Sequence, residues 1–348
     1  MPGFLEKITR SNFFIKLKSW EYWPFGILQF PAIVYWVWLS LRSRTILFFS
    51  ASNPGIPMGG MFGESKIDIL NNIPSQYIPK SSVVRLPATE GDVLRVIREK
   101  GFSFPVIFKP DLGERGFMVR KIVDEAAVAP YLQEIKIDFI VQELVDLPLE
   151  FGIFYQRHPL QPSGQVTSIV MKEMLTVTGS GKQTLRELIL SKDRAKLQWQ
   201  KLKVKFEEQL DDIIPEGKCI ELVSIGNHAL GTKFLNGNHL ISPELSASFD
   251  RISKHVPGFY FGRFDLRCQS IEDLRKGNVK IMELNGCGAE PAHIYDPDFK
   301  ILDAIIVLVK HWRVIFEIAR ENHKLGVPYV SLREAHVYYK RFKGATAK

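Results

Sequence analysis

Two short stretches late in the chain set the clearest pattern of polar and apolar positions. Residues 260–268 and 279–286 each alternate, with Phe264 and Leu266 in the first and Ile281, Met282 and Leu284 in or near the second. Each reads as a strand, and the polar stretch between them reads as a loop. Residues i and i+2 of a strand share a face. Arg263 and Asp265 therefore fall together, as do Glu283 and Asn285. Paired as a hairpin, the two strands gather these four side chains on one face.

Upstream, 104–110, 117–123, 139–145, 150–158 and 165–174 read as strands, with one helix inserted from Asp124 to Ile135. Thr89-Glu-Gly-Asp92 carries the acidic cap of a helix start. Residues 45–50 read as a buried strand, followed by a Gly- and Pro-rich loop and a helix over 65–72. Further on come a helix at 184–192, a long charged helix at 194–214, a strand at 219–227 and a helix at 244–256. Helix 298–323 carries Ile301, Ile305, Leu308, Trp312, Ile315 and Ile318 at three- and four-residue spacing, one apolar face. The last residues, YYKRFKGATAK, read as a solvated basic tail. The chain divides into an atypical N-terminal segment (1–85), a central domain (86–300) and a C-terminal helix with its tail (301–348).

The uncharged run 22–41, from Tyr22 to Leu41, has the length of a membrane span. Pro24, Gly26 and Pro31 argue against one straight helix. Pro31 suits the first position of a helix over 32–41, and ten residues rise only about 15 Å. Lys16 and Lys18 precede the run and Arg42 and Arg44 follow it, so charge sets no orientation. Three readings stand: a packed aromatic core or homodimer contact, a peripheral attachment to the inner membrane face, and a true span.

The 348 residues are enough for two or three domains and a real core. The net charge of +8 suits nucleic acid, an anionic membrane or a phosphate-rich ligand. No basic run interleaved with aromatics and no zinc-finger spacing is present, which disfavours nucleic acid. Three scattered cysteines, Cys219, Cys268 and Cys287, point to free thiols in a reducing, cytoplasmic setting. Cys287, between two glycines, reads as a turn residue rather than a nucleophile.

The hairpin face offers two carboxylates, an amide oxygen and a guanidinium. Hard oxygen donors beside an arginine suit Mg²⁺ (or Mn²⁺) carrying a polyphosphate. The alternative is an amphipathic hairpin with a solvated polar face. The apolar neighbours imply burial, and buried carboxylates need partners. TGSGKQT at 178–184 invites a P-loop reading and fails it: position 176 is Thr where Gly is required, and Gln183 follows Lys182; it reads instead as a tight turn capping the helix at 184–192.

In this order the parts resemble the ATP-grasp superfamily, specifically the carboxylate–amine ligases such as D-alanine–D-alanine ligase, over roughly 86–300. FPVIFKPDLGERGFMVRKI is similar to that family's strand, glycine turn and returning strand, which makes Lys109 a phosphate contact. FIVQELVDLPLE is similar to its adenine hinge, implying Glu143, Leu144 and Asp146 at the base and Glu150 at the ribose. Lys172 matches the second phosphate lysine. GRFDLR and IMELNGCGAEP match the metal strands, implying Arg263 as a catalytic residue with Lys172, and Asp265, Glu283 and Asn285 as metal ligands. TGSGKQTLREL is similar to a segment of the cyanophycin-synthetase and glutathione-synthetase branch. The resemblance implies an α+β ATP-grasp fold, two α+β subdomains gripping ATP, preceded here by a short β–α segment. It also implies a ligase joining the acid and amine of small-molecule or peptide substrates through an acyl phosphate. A small-molecule kinase of the same fold and a membrane-attached nucleotide-binding scaffold are the alternatives. The N-terminal segment departs from the family's full first domain, so substrate specificity does not carry over. Glu64 stands where a substrate-amine contact could fall, or serves as a plain helix-start acid.

Overall fold

The computed structural model describes residues 11–113 and 116–346. The first ten residues, Glu114 and Arg115 of the glycine turn, and the last two residues of the tail lie outside it.

The α+β class expected from the sequence is the one observed. A four-stranded antiparallel sheet has the order β1-β4-β2-β3, formed by Ser81–Val84 (β1), Val106–Pro110 (β2), Arg120–Ile122 (β3) and Phe139–Glu143 (β4). Helices Glu90–Glu99 and Val128–Glu134 cover one side, burying Val93, Ile97 and Tyr131 against Phe108, Phe139 and Val141. Thr89 and Asp92 close the first helix with a reciprocal capping box, the acidic start read from sequence.

The second sheet is five-stranded and antiparallel, with the order β11-β10-β5-β6-β9. Its strands are Leu149–Gln156 (β5), Gln165–Glu173 (β6), Lys233–Asn236 (β9), Phe261–Cys268 (β10) and Lys280–Asn285 (β11). Helix Pro243–Ser253 packs Leu245, Phe249 and Ile252 onto Phe151, Ile153, Phe264 and Leu266. A third small unit pairs Thr176–Thr178 (β7) with Cys219–Glu221 (β8) and encloses its own cluster around Leu185, Ile189 and Leu202. The turn at 178–184 does cap a helix, Leu185–Ser191, through a Thr184–Glu187 capping box.

Several expectations fail, for physical reasons. Residues 45–50 form no strand; Phe48–Ala51 is a buried 3-10 turn. A short apolar run does not reveal its secondary structure by pattern alone, and this one packs Phe48 edge-on against Trp312 and Phe316. The helix expected over 32–41 runs Phe25–Ser43 with Pro31 inside it. The long helix at 194–214 is broken into Asp193–Lys196, Trp199–Lys205 and a 3-10 turn. A straight helix would set Ala195 and Leu210 about 22 Å apart; the broken one wraps both around a single cluster. The hairpin loop holds a short helix, Ile271–Lys276. The strand expected over 219–227 ends at Glu221. The basic tail is the helix Leu332–Thr346, whose Tyr339 and Phe342 pack on Phe62.

Helix Phe25–Ser43 lies along helix Ile301–Lys324, with Leu28 and Ala32 against Ala304 and Leu308, and Leu39 clustered with Ile315. No helix among the described residues is long and apolar enough to cross a membrane.

Candidate active site

The hairpin register is the foundation of the site. Arg263 pairs with Asn285 and Asp265 with Glu283, after which the register shifts so that Leu266 meets Ile281. Met282 is thus an extra residue, a bulge. Without it Ile281 would share the polar face with Glu283; with it, Ile281 and Leu284 both enter the core. The bulge also frees the Met282 carbonyl, which accepts a 2.9 Å hydrogen bond from Lys109 Nζ of the other sheet. One irregular residue therefore sorts the faces and ties the two sheets together.

Asp265 is the centre of the charge network. It is 5% exposed. Lys172 Nζ donates to its Oδ1 at 3.0 Å, and Arg263 Nη2 and Asn285 Nδ2 each donate to Oδ2 at 3.0 Å. Burial pushes the carboxyl up, but Arg263 and Lys172 outweigh it and hold the group at about 2. Lys172 also bonds Glu150 Oε1 at 3.1 Å, and Arg267 Nε donates to Glu150 Oε2 at 2.9 Å. These three come from directly opposed positions on β6, β5 and β10. For Lys172, burial favours the neutral amine, yet Asp265 and Glu150 outweigh it and raise the ammonium above its ordinary value. Lys109 goes the other way. Burial pulls it down to about 8, with Glu283 opposing and Lys66 adding to the drop.

Two glycines make room for this network, and neither stood out in the sequence. Gly152 on β5 lies opposite both Asp265 and Val170. A Cβ there would stand 2.7 Å from Val170, 3.1 Å from Arg263 and 3.2 Å from Asp265. Gly226 brings a loop backbone so close that a Cβ would meet Glu150 Oε1 at 1.9 Å. Glycine in a strand often marks such a close approach.

The N-terminal segment supplies the floor. Asn53, fully buried, donates to the carbonyls of Gly59 and Phe261 and accepts from the amides of Tyr260 and Phe261, all at 2.8–2.9 Å. Gly59 and Gly60 accept from the amides of Cys287 and Gly288. Both have positive φ, and a Cβ on Gly60 would lie 2.6 Å from Gly286. Cys287 is buried with its thiol pushed up to about 12 by burial, in keeping with a turn residue. Lys66 escaped the sequence reading altogether. Its ammonium stands 3.7 Å from Glu283 and bonds the Gly113 carbonyl of the glycine turn. Asp111 in that turn accepts from Ser65 Oγ and the Ile67 amide. Glu64 and Lys66 share a small cavity of about 30 Å³ with Glu283, Asn285 and Phe342.

The residues expected at an adenine hinge gather separately. Glu143, Leu144 and Asp146 line a cavity of about 430 Å³ with Phe102, Phe104 and Lys121. Glu143 Oε2 also accepts from the Lys80 amide at 3.2 Å. Lys109 meets Gln142 at 3.0 Å on the neighbouring strand position.

A hard divalent cation takes oxygen ligands, and Asp265, Glu283 and the Asn285 amide oxygen can supply three. Among the described residues no group of three or more His, Cys, Asp or Glu side chains gathers to hold a metal. The rest of the shell would come from phosphate and water, the habit of Mg²⁺. Lys172 and Lys66 already stand cationic groups against the same two carboxylates. By type, these donors suit such a cation.

No protein-family model matches the sequence, and no curated protein matches it. Solved structures are similar to it at a distance. A D-alanine–D-alanine ligase from Coxiella burnetii is 10% identical with a TM-score of 0.41, over 82% of this chain and 64% of that one. A D-Ala:D-Ser ligase from Enterococcus faecalis is 14% identical with a TM-score of 0.40, over 73% and 62%. A bifunctional glutathione synthetase from Pasteurella multocida is 13% identical with a TM-score of 0.37, over 70% and 36%. The chain thus spans less than two thirds of the length of each of these proteins. Likenesses this distant assign no activity, and the chemistry of the site rests on the residues of this chain.

Proposed function

We propose that this chain is an ATP- and Mg²⁺-dependent ligase that joins a carboxylate to an amine through an acyl phosphate. The observation that carries the reading is the network spanning both sheets: Lys109 from one, and Lys172, Glu150, Arg263, Asp265, Glu283 and Asn285 from the other. Lys172 and Arg263 bond the buried Asp265, Lys109 ties the two sheets at the Met282 carbonyl, and the cavity at Glu143 borders the start of the strand that carries Lys109. A nucleoside triphosphate laid between the sheets would place its base at Glu143, Leu144 and Asp146 and its ribose at Glu150. Its phosphates would lie at Lys109 and Lys172. Bound Mg²⁺, held by Asp265, Glu283 and Asn285, would offset phosphate charge.

The substrate carboxylate oxygen would attack the γ-phosphorus, ADP would leave, and an acyl phosphate would form. An amine would then attack the acyl carbon, losing a proton as inorganic phosphate departs. Arg263 stands beside the reacting end, where stabilising the developing oxyanion is worth about 3 kcal/mol.

Calorimetry tests the root of this reading. ATP should bind in the presence of Mg²⁺ and bind much more weakly with EDTA; absence of any Mg²⁺-dependent heat would sink it. Screening amino-acid and peptide acceptors for ADP together with inorganic phosphate then separates ligase from kinase, since a kinase retains the phosphate on its product.

The affinity should also depend on pH through Lys109. Phosphate contact favours its charged form, so its pKa rises on binding. Below about 8 the lysine is already charged and affinity is flat. Above that value binding must take up a proton, and affinity should fall by up to about tenfold per pH unit. Titrations across this range should show the fall in the wild type and not in Lys109→Met. A flat wild-type profile would remove Lys109 from the phosphate site.

A further inference from the structure

Helix Phe25–Ser43 carries apolar side chains around most of its circumference, the buried Gln29 and Ser40 apart, a character found in helices that are buried or membrane-embedded. Only one side is covered here. Leu28, Ala32 and Leu39 face helix Ile301–Lys324. The opposite face leaves Ile27, Phe30, Val34, Val37, Trp38 and Leu41 exposed, Phe30 at 65% and Leu41 at 74%. Their spacing is that of one helical stripe, about 21 Å long. The preceding helix, Asn12–Lys18, leaves Phe13, Phe14 and Leu17 exposed as well. Scattered apolar side chains on a surface are ordinary, but a continuous stripe marks an interaction site.

The charges around the stripe identify what covers it. Lys16 and Lys18 are exposed before it, Arg42 and Arg44 after it. No acidic residue stands between Glu21 and Glu64. Glu21 is withdrawn from the surface: it is 8% exposed, paired with Arg194 at 2.7 Å and His228 at 2.8 Å. Arg42 lies over the Trp38 ring at 4.8 Å, a cation anchored at the edge of the apolar face. A second copy of the chain would bring cations to cations, because both ends of the stripe are basic. An anionic lipid surface complements them. Among the described residues no helix is long and apolar enough to cross a membrane, so this one would lie in the interfacial plane, with aromatics at headgroup depth.

We propose that this face docks the protein onto an anionic bilayer surface, helix Phe25–Ser43 lying in the plane of the membrane. The proposal is independent of the ligase reading.

The test is co-sedimentation of the full chain with vesicles of equal parts phosphatidylcholine and phosphatidylglycerol, beside vesicles of phosphatidylcholine alone. The wild type should pellet with the anionic vesicles and far less with the neutral ones. Phe30→Asp/Val34→Asp should weaken partitioning at least about tenfold. Arg42→Glu/Arg44→Glu should weaken it on anionic vesicles only. These residues are exposed, so circular dichroism and the melting temperature should stay at wild-type values. A variant that does not fold is set aside, and the other pair decides. Failure of the wild type to pellet with anionic vesicles overturns the proposal. So does unchanged partitioning of a folded variant. A dimer in light scattering that Phe30→Asp/Val34→Asp dissolves, with no vesicle binding, would make the face a self-interface instead.

Discussion

Asp265→Asn should lower turnover on the order of 10³-fold, the largest effect expected of any single change. The substitution keeps the shape and removes the charge. It takes one carboxylate from the proposed metal site and leaves Lys172 and Arg263, both within 3.0 Å of that carboxylate, facing a neutral amide. Breaking one partner of a buried ion network costs about 3–5 kcal/mol, so the melting temperature should fall too. Glu283→Gln separates the two effects. Glu283 is only half-buried and, among the described residues, its nearest cation, Lys66, stands at 3.7 Å, so stability should hardly change while turnover is lost. Steady-state ADP release alongside thermal unfolding measures both. Wild-type turnover in a folded Glu283→Gln variant would remove the metal assignment.

The second large effect falls on a residue outside the proposed metal and nucleotide contacts. Asn53→Ala should destabilise the protein by about 4 kcal/mol. The side chain makes four hydrogen bonds to backbone groups, from a position with no solvent exposure. Alanine would orphan buried donors and acceptors on both the glycine loop and β10. Urea unfolding should show a lowered midpoint with an unchanged slope. A loss below about 1 kcal/mol would mean that water or a neighbour replaces the amide, and that Asn53 is not the clamp described above.

Much of this was legible in the residues. Alternation alone placed Arg263, Asp265, Glu283 and Asn285 on one face, and the register confirms that they share it. The reason alternation worked is partly fortunate. The bulge at Met282 lies just outside the Glu283–Asn285 pair, so the pair kept its phase while Ile281 did not. The Thr89 and Thr184 caps were readable because a capping box is a local device. Contacts between distant segments were not readable. Nothing near Lys66 announces Glu283, and Gly152 looks like a weak point in a strand until Asp265 is set opposite it. The helix at Leu332–Thr346 was missed because its basic face dominates the composition, while Ala335, Tyr338 and Phe342 do the packing.

The Asn53 clamp also bears on how the chain reaches its native state. Asn53 bonds Phe261 across 208 residues of sequence, Trp20 bonds Phe299 across 279, and Asn322 bonds Ala51 across 271. Loop-closure entropy must be spent before such contacts give any return, which slows folding. During synthesis the glycine loop emerges long before β10 and β11 exist. The central sheets can form as they appear, but the floor of the site cannot close until nearly the whole chain has left the ribosome. Until then the aromatic helix Phe25–Ser43 is without helix Ile301–Lys324, so the nascent protein exposes both of its apolar faces at once. That interval is when aggregation threatens most.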